Sequence, residues 1–234
     1  QKITKKYSEV DVNRLSFTDL EENARTKGQK IAYVRYNDEK KGESTLIMQT
    51  PWITLDTYGI PRAGEYYKDE ASRSFIKVPL DNGNSDIKCM HDKLVSLDEL
   101  LKQESKRTEI FGSSKVAKQY EYQPIIRTPV QEEMLDDSDS DNEKPKYSRP
   151  PYMKTKFHLD YESGNMKTKL YERTKSNGST QRKEVSVTTL NDIEKLVTYR
   201  SKVRLILMPT SNTLFSRRTK SIKVSRKYRY GNFS

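Results

Sequence analysis

The chain has 234 residues, enough for one large or two small domains with a buried core. Only 32% of its residues are hydrophobic and 33% are charged, so much of the chain must be loop or solvated surface. Lysine and arginine number 44 against 33 aspartate and glutamate residues, and the net charge of +11 indicates a polyanionic partner such as nucleic acid or an anionic surface.

The cellular setting follows from what the sequence lacks. A single cysteine, Cys89, excludes an intrachain disulfide and fits a reducing compartment. No run approaches the roughly 20 apolar residues of a membrane span. The first residues also lack the hydrophobic core of a signal peptide. We therefore expect a soluble, intracellular protein that has no contact with a membrane.

Residues 1–15 are polar and weakly patterned, which predicts a flexible N-terminal arm. Ser16 with Asp19 three residues later predicts a short helix ending near Gly28. Residues 31–36 alternate as a strand, and a polar turn returns the chain into residues 45–49, so we expect a β-hairpin.

Further elements follow after Pro51, which should end or bend the second strand. Residues 74–78 alternate, with Phe75 and Lys77 on one face and Ile76 and Val78 on the other, and we expect only one of these faces to be buried. A capping box at residues 96–99 predicts a helix to about residue 106, and residues 119–128 should be extended.

Residues 131–149 form an acidic segment with almost nothing apolar, which predicts a disordered insertion. Its carboxylates surround Ser138 and Ser140, in a context that an acid-directed kinase would accept. Three interpretations stay open: a solvated spacer, a phosphorylated segment, and a competitor of nucleic acid for the basic surface.

The second structured block begins near residue 150. Strands at 153–161 and 166–171 should pair as a hairpin that presents Lys154, Lys156, Lys167 and Lys169. A turn at residues 177–178, a strand at 184–188, a helix opening at Thr189 and a strand at 202–208 complete the pattern. From residue 195 onward there are eleven basic residues and no acidic one, and we expect residues 210–234 to form a basic C-terminal arm.

The element order predicts a mainly β protein with a few helices. It is compatible with an antiparallel oligonucleotide-binding barrel (OB fold) over residues 16–209 that carries insertions and extended termini. Periodicity also allows another barrel or a sandwich.

Residue types give no indication of catalysis. The only histidines, His91 and His158, lie far apart, and Cys89 with His91 lacks the second pair of ligands that a zinc site needs. The sequence has neither a phosphate-binding glycine-rich loop nor a nucleophile elbow. We expect a protein that is not an enzyme and that uses no metal or cofactor.

Residues 46–80 interleave aromatic and basic side chains, which is typical of surfaces that stack unpaired bases and follow a phosphate backbone. The alternative is that the same aromatic residues are core or sheet packing, and Ile76, Val78 and Trp52 favour packing. With the predicted lysine hairpin as the opposite wall of a groove, the candidate binding residues are Trp52, Tyr58, Arg62, Tyr66, Arg73, Phe75, Lys77, Lys154, Lys156, Lys167, Lys169 and Arg204.

Several runs resemble the single-stranded-DNA-binding proteins of nucleocytoplasmic large DNA viruses, relatives of phage-type proteins with an OB fold. They are IAYVRYN, LIMQTPW, YGIP, RSFIKVPL and RPPYMKTKF, and the similarity covers residues 16–209. The resemblance implies a replication or recombination protein that coats single strands in a viral factory in the host cytoplasm. Phage-type proteins end in an acidic tail that recruits partners, whereas this chain ends in a basic one.

Three functions are compatible with these sequence features. The first is sequence-tolerant binding of single-stranded DNA, with other viral replication proteins as partners and with oligomers allowed. The second is a virion structural protein, a capsid or core adaptor whose terminal arms order on neighbouring subunits. The third is packaging of double-stranded DNA in the particle.

Overall fold

The computed structural model describes residues 1–22, 30–81, 83–129, 149–160, 162–176, 179–210 and 215–217. Their strands are β1 (Lys2–Lys6), β2 (Leu15–Phe17), β3 (Glu21–Glu22), β4 (Lys30–Ile31), β5 (Val34–Asp38), β6 (Gly42–Gln49), β7 (Ile53–Thr54), β8 (Phe75–Pro79), β9 (Tyr120–Tyr122), β10 (Ile126–Arg127), β11 (Tyr152–Lys156), β12 (Leu170–Ser176), β13 (Ser179–Val185), β14 (Lys202–Val203), β15 (Ile206–Leu207) and β16 (Phe215–Arg217). The helices are α1 (Glu70–Arg73), α2 (Ser85–Lys102), α3 (Glu104–Phe111), α4 (Ser114–Ala117) and α5 (Leu190–Leu196).

The largest sheet has five strands and is built around β6. β1 runs parallel to one edge of β6, from the Lys2–Thr45 pair to the Lys6–Gln49 pair. On the other edge, β5 pairs antiparallel with β6 over residues 42–45, and β15 pairs antiparallel with it at residues 48–49. The sheet therefore forks, because β5 and β15 share one edge of the same strand.

A second sheet has three antiparallel strands in the order β10–β11–β8. Its inner face carries Met153, Val78 and Ile76, which are all buried. Such burial holds the sheet against the main core, which it shares with the forked sheet and α2. The outer face carries Lys77, Lys154 and Lys156.

The remaining strands form two-stranded sheets, β12–β13, β14–β7, β16–β9 and β3–β4. β12 and β13 pair over their whole lengths, from Leu170–Val185 to Ser176–Ser179. The expected turn at residues 177–178 lies outside the described residues. The strand predicted at 184–188 begins earlier than expected, since β13 runs from Ser179 to Val185.

Helix α2 begins earlier than the sequence suggested. The side chain of Asn84 accepts a hydrogen bond from the Asp86 amide, at 2.8 Å, and caps the helix there. Ser96, the predicted cap, lies inside the helix, where its hydroxyl bonds the carbonyl of Asp92. The prediction was wrong because an apolar stripe buried at Ile87 and Met90 extends the helix toward its N-terminus.

The N-terminal residues are not the expected flexible arm. They contribute β1 to the forked sheet, and Ile3, Val10 and Leu15 are buried in the core. The helix predicted after Ser16 is also absent from the described residues, because this stretch forms β2, paired with β5, and then β3. Residues 23–29 lie outside the described residues.

The C-terminal region and the acidic segment are only partly described. Residues 215–217 form β16 against β9, with Phe215 buried between the rings of Phe111 and Tyr122, so the core continues past the expected boundary at 209. The rest of the predicted basic arm, residues 211–214 and 218–234, and the acidic insertion up to residue 148 lie outside the described residues.

The fold class is confirmed at the coarse level, since the chain is mainly β with a few helices. Within the described ranges, none of the sheets closes into a barrel, and the parallel β1–β6 pair makes the largest sheet mixed rather than antiparallel. In the same ranges, no helix combines the length and apolar character that crossing a bilayer requires.

Candidate nucleic-acid interface

The outer face of the β10–β11–β8 sheet concentrates positive charge. Lys154 lies directly opposite Lys77 across the β11–β8 pair, and Lys156 lies two residues along on the same face. Arg127 of β10 reaches this face through its pairing with Tyr152. We name these residues the cationic sheet face, defined by Lys77, Arg127, Lys154, Lys156, Tyr152 and Tyr58.

Two tyrosines lie among these cations. The Tyr152 ring is 4.9 Å from the Tyr58 ring, and the Lys77 ammonium is 4.8 Å from the Tyr152 centroid. The Tyr58 hydroxyl donates a 2.8 Å hydrogen bond to the Pro150 carbonyl, which fixes the ring beside β11. Both rings are half-buried, so each keeps part of its surface open to a ligand.

Lys154 is the electrostatic centre of the face. Burial lowers the pKa of its ammonium, and the nearby charges of Arg127, Lys156 and Lys77 lower it further. In the described part of the chain, no carboxylate forms an ion pair with any of the four cations. An anion binding there would meet charge that no carboxylate of the described ranges neutralises.

Strand β10 is held in place by one buried carboxylate. Asp98 of α2 accepts hydrogen bonds from the amides of Ile125 and Ile126, at 2.9 and 3.2 Å, and from the Tyr122 hydroxyl. Burial and this contact with Asp98 raise the pKa of Tyr122. The third strand of the cationic sheet face therefore depends on a residue of α2.

Phe75 does not face solvent as predicted. It is only 2% exposed, because Tyr67 packs edge-on against its ring and the Lys154 ammonium lies 3.6 Å from its centroid. Ile76 and Val78 are buried on the opposite face, so both faces of β8 are covered here. The Phe75 ring packs against the Lys154 ammonium, and a base cannot stack on this buried ring.

Arg73 was also predicted to face DNA, and it too is buried. It forms an ion pair with Glu194 of α5 and donates a 3.1 Å hydrogen bond to the Pro61 carbonyl. The side chain is 5% exposed and joins the loop before α1 to α5. Its role in the fold is structural.

Trp52 and Arg204 are brought together. The Arg204 guanidinium lies 4.7 Å from the indole centroid, and a residue absent from the sequence prediction, Arg173, lies 5.8 Å from the same ring. Trp52 is half-buried rather than a full core residue. It belongs to a second cluster of aromatic and basic side chains.

The predicted lysine hairpin does not form a common wall. β11 pairs with β8 and β10, whereas Met166 forms only an isolated bridge to Leu159. Lys167 forms an ion pair with Asp160, and Lys169 forms one with Glu184 at 3.1 Å. The prediction failed because it paired the segment at 153–161 with the one that follows it. In the structure β11 pairs with β8 instead, and Met153 lies opposite Val78, 75 residues upstream.

Arg62 and Tyr66 lie exposed on the loop before α1, and Tyr66 is 92% exposed. Sequence reasoning missed Arg127, Tyr152 and Arg173 as binding candidates. Tyr152 alternates with Lys154 and Lys156, so its face was available from periodicity. Arg127 and Arg173 gave no local signal, because their neighbours come from distant segments.

The described residues include no group of three or more histidine, cysteine, aspartate or glutamate side chains placed to hold a metal ion.

The chain is 32% identical over 220 residues to an uncharacterized protein of Acanthamoeba polyphaga mimivirus. The match covers 85% of this chain but 51% of the relative, so the chain spans about half the length of the curated protein it matches. No family model matches the chain, and no solved structure matches it significantly.

Proposed function

We propose that the protein binds single-stranded DNA with little sequence preference and performs no catalytic step. The observation that carries the proposal is the cationic sheet face, where four cations without an ion-pair partner among the described residues lie beside two half-exposed tyrosines. Cations of this kind follow a phosphate backbone, and tyrosine rings stack on bases whatever their sequence.

The proposal includes the finer fold assignment and the biological setting. An OB-type barrel with insertions is supported by the way in which β1, β5 and β15 converge on β6. The match to a mimivirus protein supports a viral setting. The role in viral DNA replication or recombination in a cytoplasmic factory is part of the proposal and rests on the resemblance to single-stranded-DNA-binding proteins. The virion structural role is less supported, because the N-terminal residues form part of the chain's own sheet instead of an arm.

Titration of the full chain against a fluorescent dT oligonucleotide at several salt concentrations tests the proposal. Lys156→Gln removes an exposed cation from the face, so affinity should fall several-fold and the salt slope should become shallower by about 0.7 for one lost phosphate contact. Tyr152→Leu removes a stacking ring but keeps an apolar side chain, and should weaken binding about 5- to 150-fold, the equivalent of 1 to 3 kcal/mol.

Lys88→Gln is the matched control, since Lys88 is also an exposed lysine but lies on α2. It should leave the salt slope unchanged. Equal effects of Lys88→Gln and Lys156→Gln, or no binding of dT by the wild-type chain at low salt, would refute the proposal.

A further inference from the structure

The β12–β13 hairpin is a ribbon without a buried face. Every described side chain of the ribbon from Tyr171 to Glu184 is exposed, on both faces of the two strands. A two-stranded ribbon of this kind is marginally stable by itself. Its seven-residue strands extend over about 23 Å at about 3.3 Å per residue.

The two faces of the ribbon differ in charge. One face carries Arg173 directly opposite Arg182, with Tyr171 next along the strand. The other face pairs Glu172 with Lys183 and is neutral at that position. The arginine face is therefore the one suited to an anion.

The opposed arginines cost stability. Like charges directly across a strand pair are destabilising. The Arg182 guanidinium stacks on the Tyr171 ring at 3.6 Å, and Arg173 lies against Trp52. These ring contacts orient the guanidinium groups without neutralising them. The one carboxylate described on this face, Glu184, forms an ion pair with Lys169. Hydrogen bonds with Lys169 and Tyr171, and the charges of Lys169 and Arg182, lower the pKa of Glu184.

The surface continues beyond the ribbon. Arg173 and Arg204 lie near the same indole, so the arginine face of the ribbon leads to the β14–β15 segment through Trp52. We name Tyr171, Arg173, Arg182, Trp52 and Arg204 the arginine strip. In the described ranges none of its three arginines forms an ion pair with a carboxylate.

We propose that the β12–β13 ribbon binds duplex DNA, with the arginine strip against the phosphates of one groove. The ligand is a duplex because the described side chains of the ribbon are exposed on both faces, which fits a partner that can surround both of them. The major groove of B-DNA, about 12 Å wide and 8.5 Å deep, admits a two-stranded ribbon, whereas a single strand has no groove. This inference concerns a different surface from the cationic sheet face and goes beyond the proposed function.

The test compares two single substitutions at adjacent positions of β13. Arg182→Gln and Lys183→Gln each remove one positive charge, but from opposite faces of the ribbon. Binding of the full-length variants to a labelled 24-base-pair DNA duplex and to dT24 is measured by anisotropy across salt. Arg182→Gln should weaken duplex binding several-fold and reduce the salt slope by about 0.9, and Lys183→Gln should stay within twofold of wild type.

Arg182→Lys keeps the charge and controls for damage to the ribbon, so it should retain most of the duplex affinity. An RNA duplex should bind more weakly, since its major groove is too narrow for side chains. The inference would be overturned if Arg182→Gln and Lys183→Gln lost equal affinity, or if Arg182→Lys lost as much as Arg182→Gln. It would also be overturned if RNA and DNA duplexes bound equally, or if the wild-type chain bound no duplex. Binding to dT24 is a separate measurement that tests the proposed function.

Discussion

At the scale of single residues, Lys154 shows a conflict between stability and binding. Its ammonium lies over the Phe75 ring, directly across from Lys77, in a half-buried position. The cation–ring contact stabilises the charge in part, but burial and three neighbouring cations act in the opposite direction. A bound polyanion would attract all four cations and so offset the repulsion among them.

Lys154→Met should therefore stabilise the free protein and weaken binding of single-stranded DNA. The gain should be about 0.2 to 1 kcal/mol, the usual cost of opposed like charges. Because the pKa of Lys154 is lowered by folding, the cost is present below its folded-state pKa and is relieved as the pH rises through that value. Urea unfolding at neutral and alkaline pH measures this difference.

Lys156→Met serves as the comparison, since Lys156 is exposed on the same strand. It should weaken binding without a comparable gain in stability. A Lys154→Met protein that is less stable than wild type at neutral pH would contradict this account of the site.

Residue identity alone could not separate Phe75 and Arg73 from true surface residues. Alternation assigned Phe75 correctly to the face opposite Ile76, but the covering ring of Tyr67 comes from a loop without periodicity. The partner of Arg73 is Glu194, 121 residues away. Pairing over such distances leaves no mark on local sequence patterns.

At the scale of elements, α2 and β10 are joined by Asp98. Its carboxylate accepts two backbone amides at the start of β10 and one hydroxyl from β9. Because Asp98 is 5% exposed, water cannot readily replace these bonds. Removing the carboxylate would leave buried donors without a partner.

Asp98→Ala should destabilise the protein by at least about 2 kcal/mol, since hydrogen bonds to a charged group contribute about 1.5 to 3 kcal/mol each. It should also weaken DNA binding at the cationic sheet face, because Arg127 follows the two amides directly. Chemical denaturation and dT titration measure the two effects.

Tyr122→Phe is the control, as it removes only the hydroxyl donor and keeps the backbone bonds. We expect a loss of about 1 kcal/mol and little change in affinity. Equal losses for the two variants would mean that the amide contacts contribute nothing.

Some elements formed by neighbouring residues were predicted correctly, although the helix after Ser16 and the helix cap at Ser96 were not. The β5–β6 hairpin and the capping box of α5, in which Thr189 and Asp192 bond each other, both appear in the structure. The binding face could not be predicted as a unit, because three helices, two strands and the acidic segment separate β8 from β11 in the sequence. Consecutive strands pair often, and β11 does pair with β10, but its other partner is the distant β8 and not the segment that follows it.

At the scale of the whole molecule, an early strand and a late strand, β1 and β15, both pair with β6. β1 covers one edge of it and β15 part of the other. Leu46 and Met48 of β6 are buried, and so is Ile3 of β1. The first residues therefore protect a strand edge as well as adding to the core.

Deletion of residues 1–6 should lower stability and promote association through the uncovered edge of β6, because an unpaired edge can pair with another chain. Ile3→Ala keeps β1 in place and should cost about 2 to 5 kcal/mol without causing association. Thermal melts and light scattering distinguish the two variants. A deleted chain that stays monomeric with unchanged stability would show that β1 is dispensable.

The fork in the forked sheet also imposes an order on folding. Thr50 and Leu205 exchange two hydrogen bonds of 2.9 Å across a separation of 155 residues, and Leu55 bonds Ser201 nearby. Contacts of such sequence separation form slowly, because loop closure costs entropy before any contact repays it. During synthesis, residues 48–49 of β6 can pair with β1 early, but their other edge stays unpaired until residues 206–207 have left the ribosome. The lone tryptophan lies beside Arg204, so we expect its fluorescence to report that late docking.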